Sequence, residues 1–587
     1  MYLSKLKLWN FRKFGSDTDE LNLEIPDLEI DFKEGLNVLI GENDSGKTAI
    51  IDSIKIILNT HSSEWIRLER EDFYKTSKRL RIECYFEDLL ENEASNFTEW
   101  LGLTQDGDKS FPYLKIFLDV KKDINDRILS FDVRAGASED GYRLPAEARE
   151  YLKTTYLKPL RDAKNELIPK RNSRLSQILQ GHEVFKGKDE EHELVDIFKK
   201  FSHEIKDYFR NNDKEGSKVK KSLDIFLEEL FGDKRDSEFN ITDQKLRNIL
   251  EILELTLEDG KLGLGSHNLL FIASELLNLE RKDSSIKLAL IEELEAHLHP
   301  QAQLRAIEYM RDKKGIQFIL TTHSPNIGSK VKLENLIICE DNGVFAMGKN
   351  NTKLGELDYR FLERFLDVTK ANLFFAKGLI LVEGWSEEMI IPVLAERIGI
   401  DLTKKGISIV NVASIAFLRY SRIFQRNQMP IMSLPVSIVT DVDIKPEQEE
   451  EAILSAAIIK KENKFNGQTI KTFVSPHWTF EYCLGLSPVL APYLFKSVKL
   501  ALDDMRVDGT NNRAAITRSF PTDLNREDVA RFIYKALIID KEISKVIIAQ
   551  HFAEILKENE LISKEALEAE DSIKYIIEAI KYAAGEN

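Results

Sequence analysis

The sequence predicts an α/β protein of several folding units, the first of them interrupted by a helical insertion. Three observations carry that expectation. Short apolar runs of strand length alternate with helix-patterned stretches through much of the chain. A charged, helix-patterned block breaks the first such series between residues 165 and 235. A chain of 587 residues also exceeds what one core sustains, so about three or four units are expected.

With 43% hydrophobic and 31% charged residues the chain is neither disordered nor fibrous. Its 83 basic against 99 acidic side chains, a net charge of −16, argue against a general basic coat that grips duplex nucleic acid. A local basic groove stays open, and the Lys and Arg of residues 158 to 174 are the candidate. The surplus carboxylates are also available to divalent metal ions. Cys84, Cys339 and Cys483 form no CxxC pair, which supports neither a disulfide framework nor a cysteine zinc site and fits a reducing cytoplasm. No apolar run reaches the roughly 18 residues of a membrane span, so a soluble, unexported protein is expected.

In order along the chain, SKLKLWNF, LNLEI and LEIDF alternate as strands, and LNVLI leads through a loop into the helical AIIDSIKIIL. Residues 1–164 are read as the first part of one α/β unit. The insertion, residues 165–235, carries DEEHELVDIFKKFSHEIKDYFRNN and VKKSLDIFLEELFG around a Lys-rich link. Strand-length runs resume at ILELTL, IKLALI and IQFILTT, within a second part spanning residues 236–369. From residue 370 a further α/β series begins: strand GLILVEG, helix EEMIIPVLAERIG, strand ISIVNV, strand VSIVTDVD, then mostly helix to residue 587.

GENDSGKT, Gly41 to Thr48, matches G-x-x-x-x-G-K-[ST] between an apolar strand and a helix, the context that motif requires. The backbone of Gly41, Asn43, Ser45 and Gly46 would wrap phosphates, Lys47 would pair with the β- and γ-phosphates, and Thr48 would ligate Mg²⁺. A glycine-rich turn with a solvated lysine is the plain alternative. IKLALI ends in Glu292 and Glu293, where a Walker B pair would hold Mg²⁺ and polarise the attacking water; burying two adjacent acids without a cation is costly. His323 follows another strand and could sense a γ-phosphate or be structural. Gly263, Gly265 and Ser266 precede an apolar helix as a signature loop would, although glycine turns before helices are common. These four segments have the order of an ABC-type P-loop ATPase head, two of which sandwich ATP. His297 and His299 resemble a metal pair but read better as helix-end packing.

In the second series, one strand ends at Glu383 and Gly384, and Glu387 follows at a helix start. Another ends in Asp441 and Asp443, which alternation along a strand would turn to the same side, toward one ion. Glutamate-glycine at one strand tip and DxD at another form the pattern of a Toprim domain, a Rossmann-like fold whose carboxylates hold Mg²⁺ or Mn²⁺. In isolation DxD is only a solvated turn. Glu481 is a further candidate ligand or a glutamate favoured by a helix dipole. Lys545 could neutralise charge near a phosphate or be an ordinary exposed lysine.

The succession NFRKFG, GENDSGKT, TYLKPLRDA, RNSRLSQIL, LGLGSHNLL, IEELEAHLHP, TTHSP, FLDVTKANLFFAKGLILVEGWSEE and TDVD resembles, over nearly the whole chain, the OLD (overcoming lysogenisation defect) family of ATP-dependent endonucleases. The resemblance implies an ATPase head interrupted by a helical dimerisation insertion, then a Toprim nuclease with C-terminal helices. It implies ATP and one metal ion at the head, and two ions on Glu383, Glu387, Asp441 and Asp443, with Glu481 less securely placed. It also raises the weight of Lys545. DNA as substrate, a homodimer or higher homo-oligomer, a role in defence against phages and a possible helicase or retron partner follow from it. The chain departs from the family in having Glu292 where Walker B usually begins with Asp, Leu294 where Pro is frequent, and Trp385 where a smaller residue or Pro is usual. Trp385 could stack on DNA or pack inside.

The reading from another class is a DNA-binding ATPase clamp or sensor whose Toprim fold recruits a partner without cutting; the full set of acids argues against it. A Toprim primase or topoisomerase is weaker still, since there is no cysteine zinc finger and no recognisable strand-passage tyrosine.

Overall fold

The computed structural model describes residues 1–586 except 17, 19, 62–65, 107–108, 160–165, 242–244, 258–262, 281–284, 341–342, 414–415, 508–525, 535–543 and 559–561. The chain forms two compact units: Met1–Asn37 with Thr48–Thr322, and Val38–Lys47 with His323–Asn587. No helix among the described residues is long and apolar enough to cross a membrane.

In the first unit the described residues form a seven-stranded antiparallel sheet. Its order is Leu28–Asp31, Tyr2–Trp9, Arg79–Glu87, Lys109–Lys121, Val133–Ala135, Tyr142–Arg143, with Leu101–Asp106 also paired to Lys109–Lys121. Arg79–Glu87 shows why it forms. Leu80, Ile82, Cys84 and Phe86 alternate into the core. On the other face Arg81 and Glu83 are buried too, joined at 2.7 Å, and Arg79 and Arg81 share Asp119. A second group of strands in this unit runs parallel, Leu288–Ile291 lying between Thr155–Leu157 and Gln317–Thr322.

The helices Arg174–Gly181, Glu193–Arg210 and Gly216–Phe231 occupy the predicted insertion. Gly232, in the left-handed region at φ 74°, ends the last of them. Val195 packs on Leu246, Ile249 and Leu250, which ties the helix Glu193–Arg210 down. Val219, Leu223, Phe226 and Leu230 remain exposed at four-three-four spacing along the helix Gly216–Phe231, an apolar seam of the kind that pairs helices.

Two expected strands are not strands. LNLEI is a turn, because the Asn22 side chain accepts from Glu24 N at 3.0 Å and the Asn22 carbonyl accepts from Ile25 N and from the Trp9 indole. ILELTL is irregular, with Ile252, Leu253 and Leu257 exposed and Leu255 packed on the cluster of Leu167, Leu175 and Phe271.

The basic strip of residues 158 to 174 is also corrected. Arg174 is buried against Glu275, 101 residues away, with Nη2 to Oε2 at 2.7 Å, and Lys158 and Lys170 both pair with Glu166; Arg161 and Lys164 lie outside the described residues. These cations hold the fold together and do not form an open groove. Arg174→Ala strands a buried carboxylate, so a loss of about 3–5 kcal/mol is expected, read as a lowered thermal midpoint that Arg174→Lys restores only in part.

In the second unit the strand ending at Gly41 pairs in parallel with Leu336–Glu340, which pairs antiparallel with Gly343–Ala346. A further sheet has four parallel strands in the order Ile407–Asn411, Gly378–Val382, Val436–Thr440, Ile470–Val474. Its two central strands are buried throughout, as a parallel sheet covered on both faces requires. The helix Lys574–Ala583 packs so closely that a Cβ on Gly378 would meet the Ala583 carbonyl at 2.1 Å. The chain winds outward in opposite directions from Gly378–Val382 and Val436–Thr440. Their carboxyl ends therefore border the crevice where such folds bind ligands.

Candidate functional site

The loop after the strand Leu36–Gly41 is shaped by glycine. Gly41 has φ 148°, and a Cβ there would lie 2.2 Å from the Cys339 carbonyl oxygen. Asp44 and Gly46 are also in the left-handed region, so the backbone curls, with Asn43 exposed on it. Lys47 is buried, its ammonium donating to the Gly41 carbonyl at 2.9 Å, to the Glu42 carbonyl and to Ser45 Oγ at 3.2 Å. Glu42 pairs with Lys377 at 2.9 Å.

In the first unit, Thr48 begins the run of helix that faces Glu292. Burial pushes the Glu292 carboxyl up, and Asp52 adds to this; hydrogen bonds from Tyr156 and Thr48 and the charge of Lys55 oppose it. The Tyr156 hydroxyl donates to Glu292 at 2.8 Å, and Lys55 lies 3.7 Å over the Tyr156 ring. Glu293 is exposed, its backbone turned left-handed at φ 47° just beyond the strand Leu288–Ile291. Gly265, in the first turn of the helix Leu264–Leu276 with Ser266, leaves room for the His297 carbonyl, which a Cβ would meet at 2.9 Å. His297 thus packs the signature helix through its backbone, and His299 caps the helix Pro300–Asp312. In the second unit, His323 is half-buried at the start of its segment.

Glu383 directly follows the strand Gly378–Val382 and Asp441 the strand Val436–Thr440, so both stand at the crevice. Glu387 joins them from the first turn of the helix Trp385–Arg397 and Glu481 from the first turn of Phe480–Leu486. Lys545 Nζ donates to Glu481 at 2.9 Å from the start of the helix Lys545–Glu558. Glu383 accepts from the Thr440 hydroxyl and from Asp441 N at 3.3 Å, and Asp441 accepts from Phe480 N at 2.7 Å. Burial pushes Asp441 well up, and Glu481, Glu383 and Glu387 push it further; Lys545 opposes them. Glu387 is raised to about 7, first by burial and then by Glu481. Burial alone would lower Lys545, yet Glu481, Asp441 and Glu387 hold it above its ordinary value.

The strand ends before the DxD, so alternation does not govern it. Asp443 lies in the left-handed region at φ 64°, is exposed, and takes a 2.6 Å bond from Lys461, which also donates to the Asp441 carbonyl. Asp443 still raises the Glu383 carboxyl electrostatically. Sequence reasoning missed Thr440 and Lys461. Thr440 could have been found from its place at the strand end, whereas no local signal marks Lys461.

This donor set, several hard carboxylate oxygens around one ammonium, suits a divalent cation that takes oxygen ligands. Among the described residues no three carboxylate or histidine side chains are already gathered as a ligand cage, since Glu383 is turned onto Thr440 and Asp441 onto Phe480 N. The mutual repulsion has a measurable consequence. A carboxyl raised in the folded state contributes stability that is full below its unfolded value and lost as pH rises through the folded value. Without metal, stability should therefore fall between pH 4.5 and about 7, by about 3 kcal/mol from Glu387 alone. Melting in EDTA should show that slope, added Mg²⁺ or Mn²⁺ should flatten it, and Glu387→Gln should reduce it.

Fold and site together define a class: an ABC-type ATPase head followed by a Toprim domain. Residues 36–329 match the family model described as "AAA domain, putative AbiEii toxin, Type IV TA system". Residues 374–443 match that of "Overcoming lysogenization defect protein-like, TOPRIM domain". The chain belongs to the OLD family of ATPase–Toprim proteins. It is 21% identical to the endonuclease GajA of Bacillus cereus (strain HuB5-5), covering 77% of this chain and 78% of that one. To the OLD nuclease of Thermus scotoductus it is 24% identical over 74% of this chain and 83% of the other. The solved C-terminal region of the Xanthomonas campestris OLD protein is 20% identical, covering 36% of this chain and 95% of that one, with a TM-score of 0.24.

Proposed function

We propose that this protein is a divalent-metal-dependent DNA endonuclease whose cutting site is the acidic crevice of the Toprim domain and whose ATPase head controls it. The observation that carries this reading is the meeting of Glu383, Glu387, Asp441 and Glu481 with Lys545 at the carboxyl ends of the two central parallel strands. Glu383, Glu387, Asp441 and Asp443, with Glu481, would hold two Mg²⁺ or Mn²⁺ ions. When bound, such ions neutralise the phosphodiester and acidify a water. The chain's own part is to orient these carboxylates through Thr440 and Phe480 N and to present the Lys545 ammonium to the phosphate.

At the head, Gly41, Asn43, Ser45, Gly46 and Lys47 would cradle ATP phosphates. Thr48 and Glu292 would hold one Mg²⁺, Glu293 would polarise the water, and His323, Gly265 and Ser266 would complete the nucleotide site. Phosphodiester hydrolysis is downhill, so ATP acts as a control and not as an energy source. The Glu42–Lys377 pair gives that control a route, since Lys377 precedes the strand that ends at Glu383.

The organisation is residues 1–164 and 236–369 for the head, 165–235 for a dimerising insertion and 370–587 for the Toprim domain with its helices. The exposed seam of Val219, Leu223, Phe226 and Leu230 supports homo-oligomerisation. A cytoplasmic role in defence against phages fits this machinery, with a helicase or retron component as a possible associate.

Supercoiled plasmid incubated with Mg²⁺ or Mn²⁺ should be nicked or linearised, and EDTA should stop this. Cleavage that survives EDTA would refute the metal-dependent reading.

A further inference from the structure

Trp385 is the first residue of the helix Trp385–Arg397, directly after Gly384 and two residues before Glu387. Its indole is 60% exposed, whereas Trp9 and Trp478 are buried. It makes no hydrogen bond, ring stack or cation contact with any described residue. Leaving so large an apolar ring in water has a free-energy cost, and nothing within the fold offsets it.

Its position is specific. Two residues of helix rise amount to about 3 Å, so the indole stands immediately beside the carboxylates of Glu383 and Glu387. The helix Trp385–Arg397 packs along Lys545–Glu558, and Lys545 acts electrostatically on Glu387. A phosphate drawn toward Lys545 and the acids therefore carries its nucleotide alongside the indole. An aromatic face next to a phosphate site is what single-strand binders use to stack a base. Within a continuous duplex both faces of each base are already covered by its neighbours, so stacking there requires the base to leave the helix.

We propose that Trp385 stacks on an unpaired base next to the scissile phosphate. The preferred substrate at this crevice is then DNA with an unstacked base, such as a single strand, gap, flap or frayed end. This deepens the nuclease reading and rests on it.

The test uses the full chain. In an Asp441→Asn background a short single-stranded oligonucleotide, and the same strand annealed to its complement, are titrated and followed by tryptophan fluorescence. Single strand should quench the signal, and Trp385→Phe should remove that quench while keeping most of the affinity. Trp385→Ala should weaken single-strand binding about 10-fold or more, the loss expected for one base–aromatic stack, with little change for duplex. With Asp441 intact, Trp385→Ala should raise KM for single strand about as much, with a smaller change in kcat. Equal single-strand affinity in Trp385→Ala, or equal weakening for both DNA forms, would overturn the stacking assignment. If cleavage depends on Asp441 while that KM is unchanged, only the stacking assignment falls; if Asp441→Asn cleaves like wild type, the nuclease reading itself falls.

Discussion

Asp441→Asn should lower DNA cleavage by ~10³-fold, the size of effect that follows removal of a preorganised charged group from a reacting centre. Asp441 is the carboxylate on which the others converge, its ionised form opposed by Glu481, Glu383 and Glu387 together. Asparagine keeps the shape and can still accept the 2.7 Å bond from Phe480 N, so the helix Phe480–Leu486 stays in place. What is lost is the charge and an oxygen ligand. A purely structural role predicts the opposite pattern, with stability falling and cleavage following it. Here the metal-free variant should melt at the same temperature as wild type or higher at pH 8, because one member of a repelling cluster has been neutralised. Nicking kinetics and a melt on the same preparation check both halves of the expectation.

Lys47→Ala should lower ATP turnover by ~10²-fold or more, since the ammonium is the main fixed positive charge on the loop. Lys47 is buried, with its nitrogen between the Gly41 and Glu42 carbonyls. Truncation therefore removes packing as well as charge. Lys47→Met retains the apolar stem, so a turnover loss shared by both variants assigns the effect to the ammonium. DNA cleavage by either variant should persist with metal but cease to respond to added ATP, because the acids at Glu383 and Asp441 remain intact.

Much of the site could be read from the sequence because its chemistry is local. The loop Gly41 to Thr48 is contiguous, and its strand–turn–helix setting follows from the neighbouring residues. Glu383 and Asp441 were marked by apolar strands that end beside them. What could not be read depends on partners distant in sequence. The antiparallel sheet of the first unit buries Arg81 and Glu83 as a pair, so its strands carry charges that blur the alternation a half-buried strand normally shows. Arg174 looked like part of a basic strip until its partner Glu275, 101 residues on, was in view. Asp443 was expected to share a face with Asp441, but the strand ends at Thr440 and the left-handed turn swings it to Lys461. LNLEI alternates like a strand, yet the Asn22 side chain satisfies a backbone N–H locally and makes a turn. In each case local pattern lost to a charge pair or a side chain that bonds the backbone.

The surplus of 16 negative charges is largely irrelevant to DNA contact on this account; what matters is where a few of them are gathered. The acids at the crevice repel one another until cations enter, and the same cations reverse the local sign for an approaching phosphate.

The most direct test of the central claim, that the Toprim acids cut and the head controls, is one plasmid-cleavage time course with Mg²⁺, with and without ATP, on wild type and Asp441→Asn, with phosphate release from ATP followed in the same tubes. The account predicts that Asp441→Asn turns over ATP like wild type but leaves the plasmid supercoiled. Equal nicking by the two proteins would contradict it.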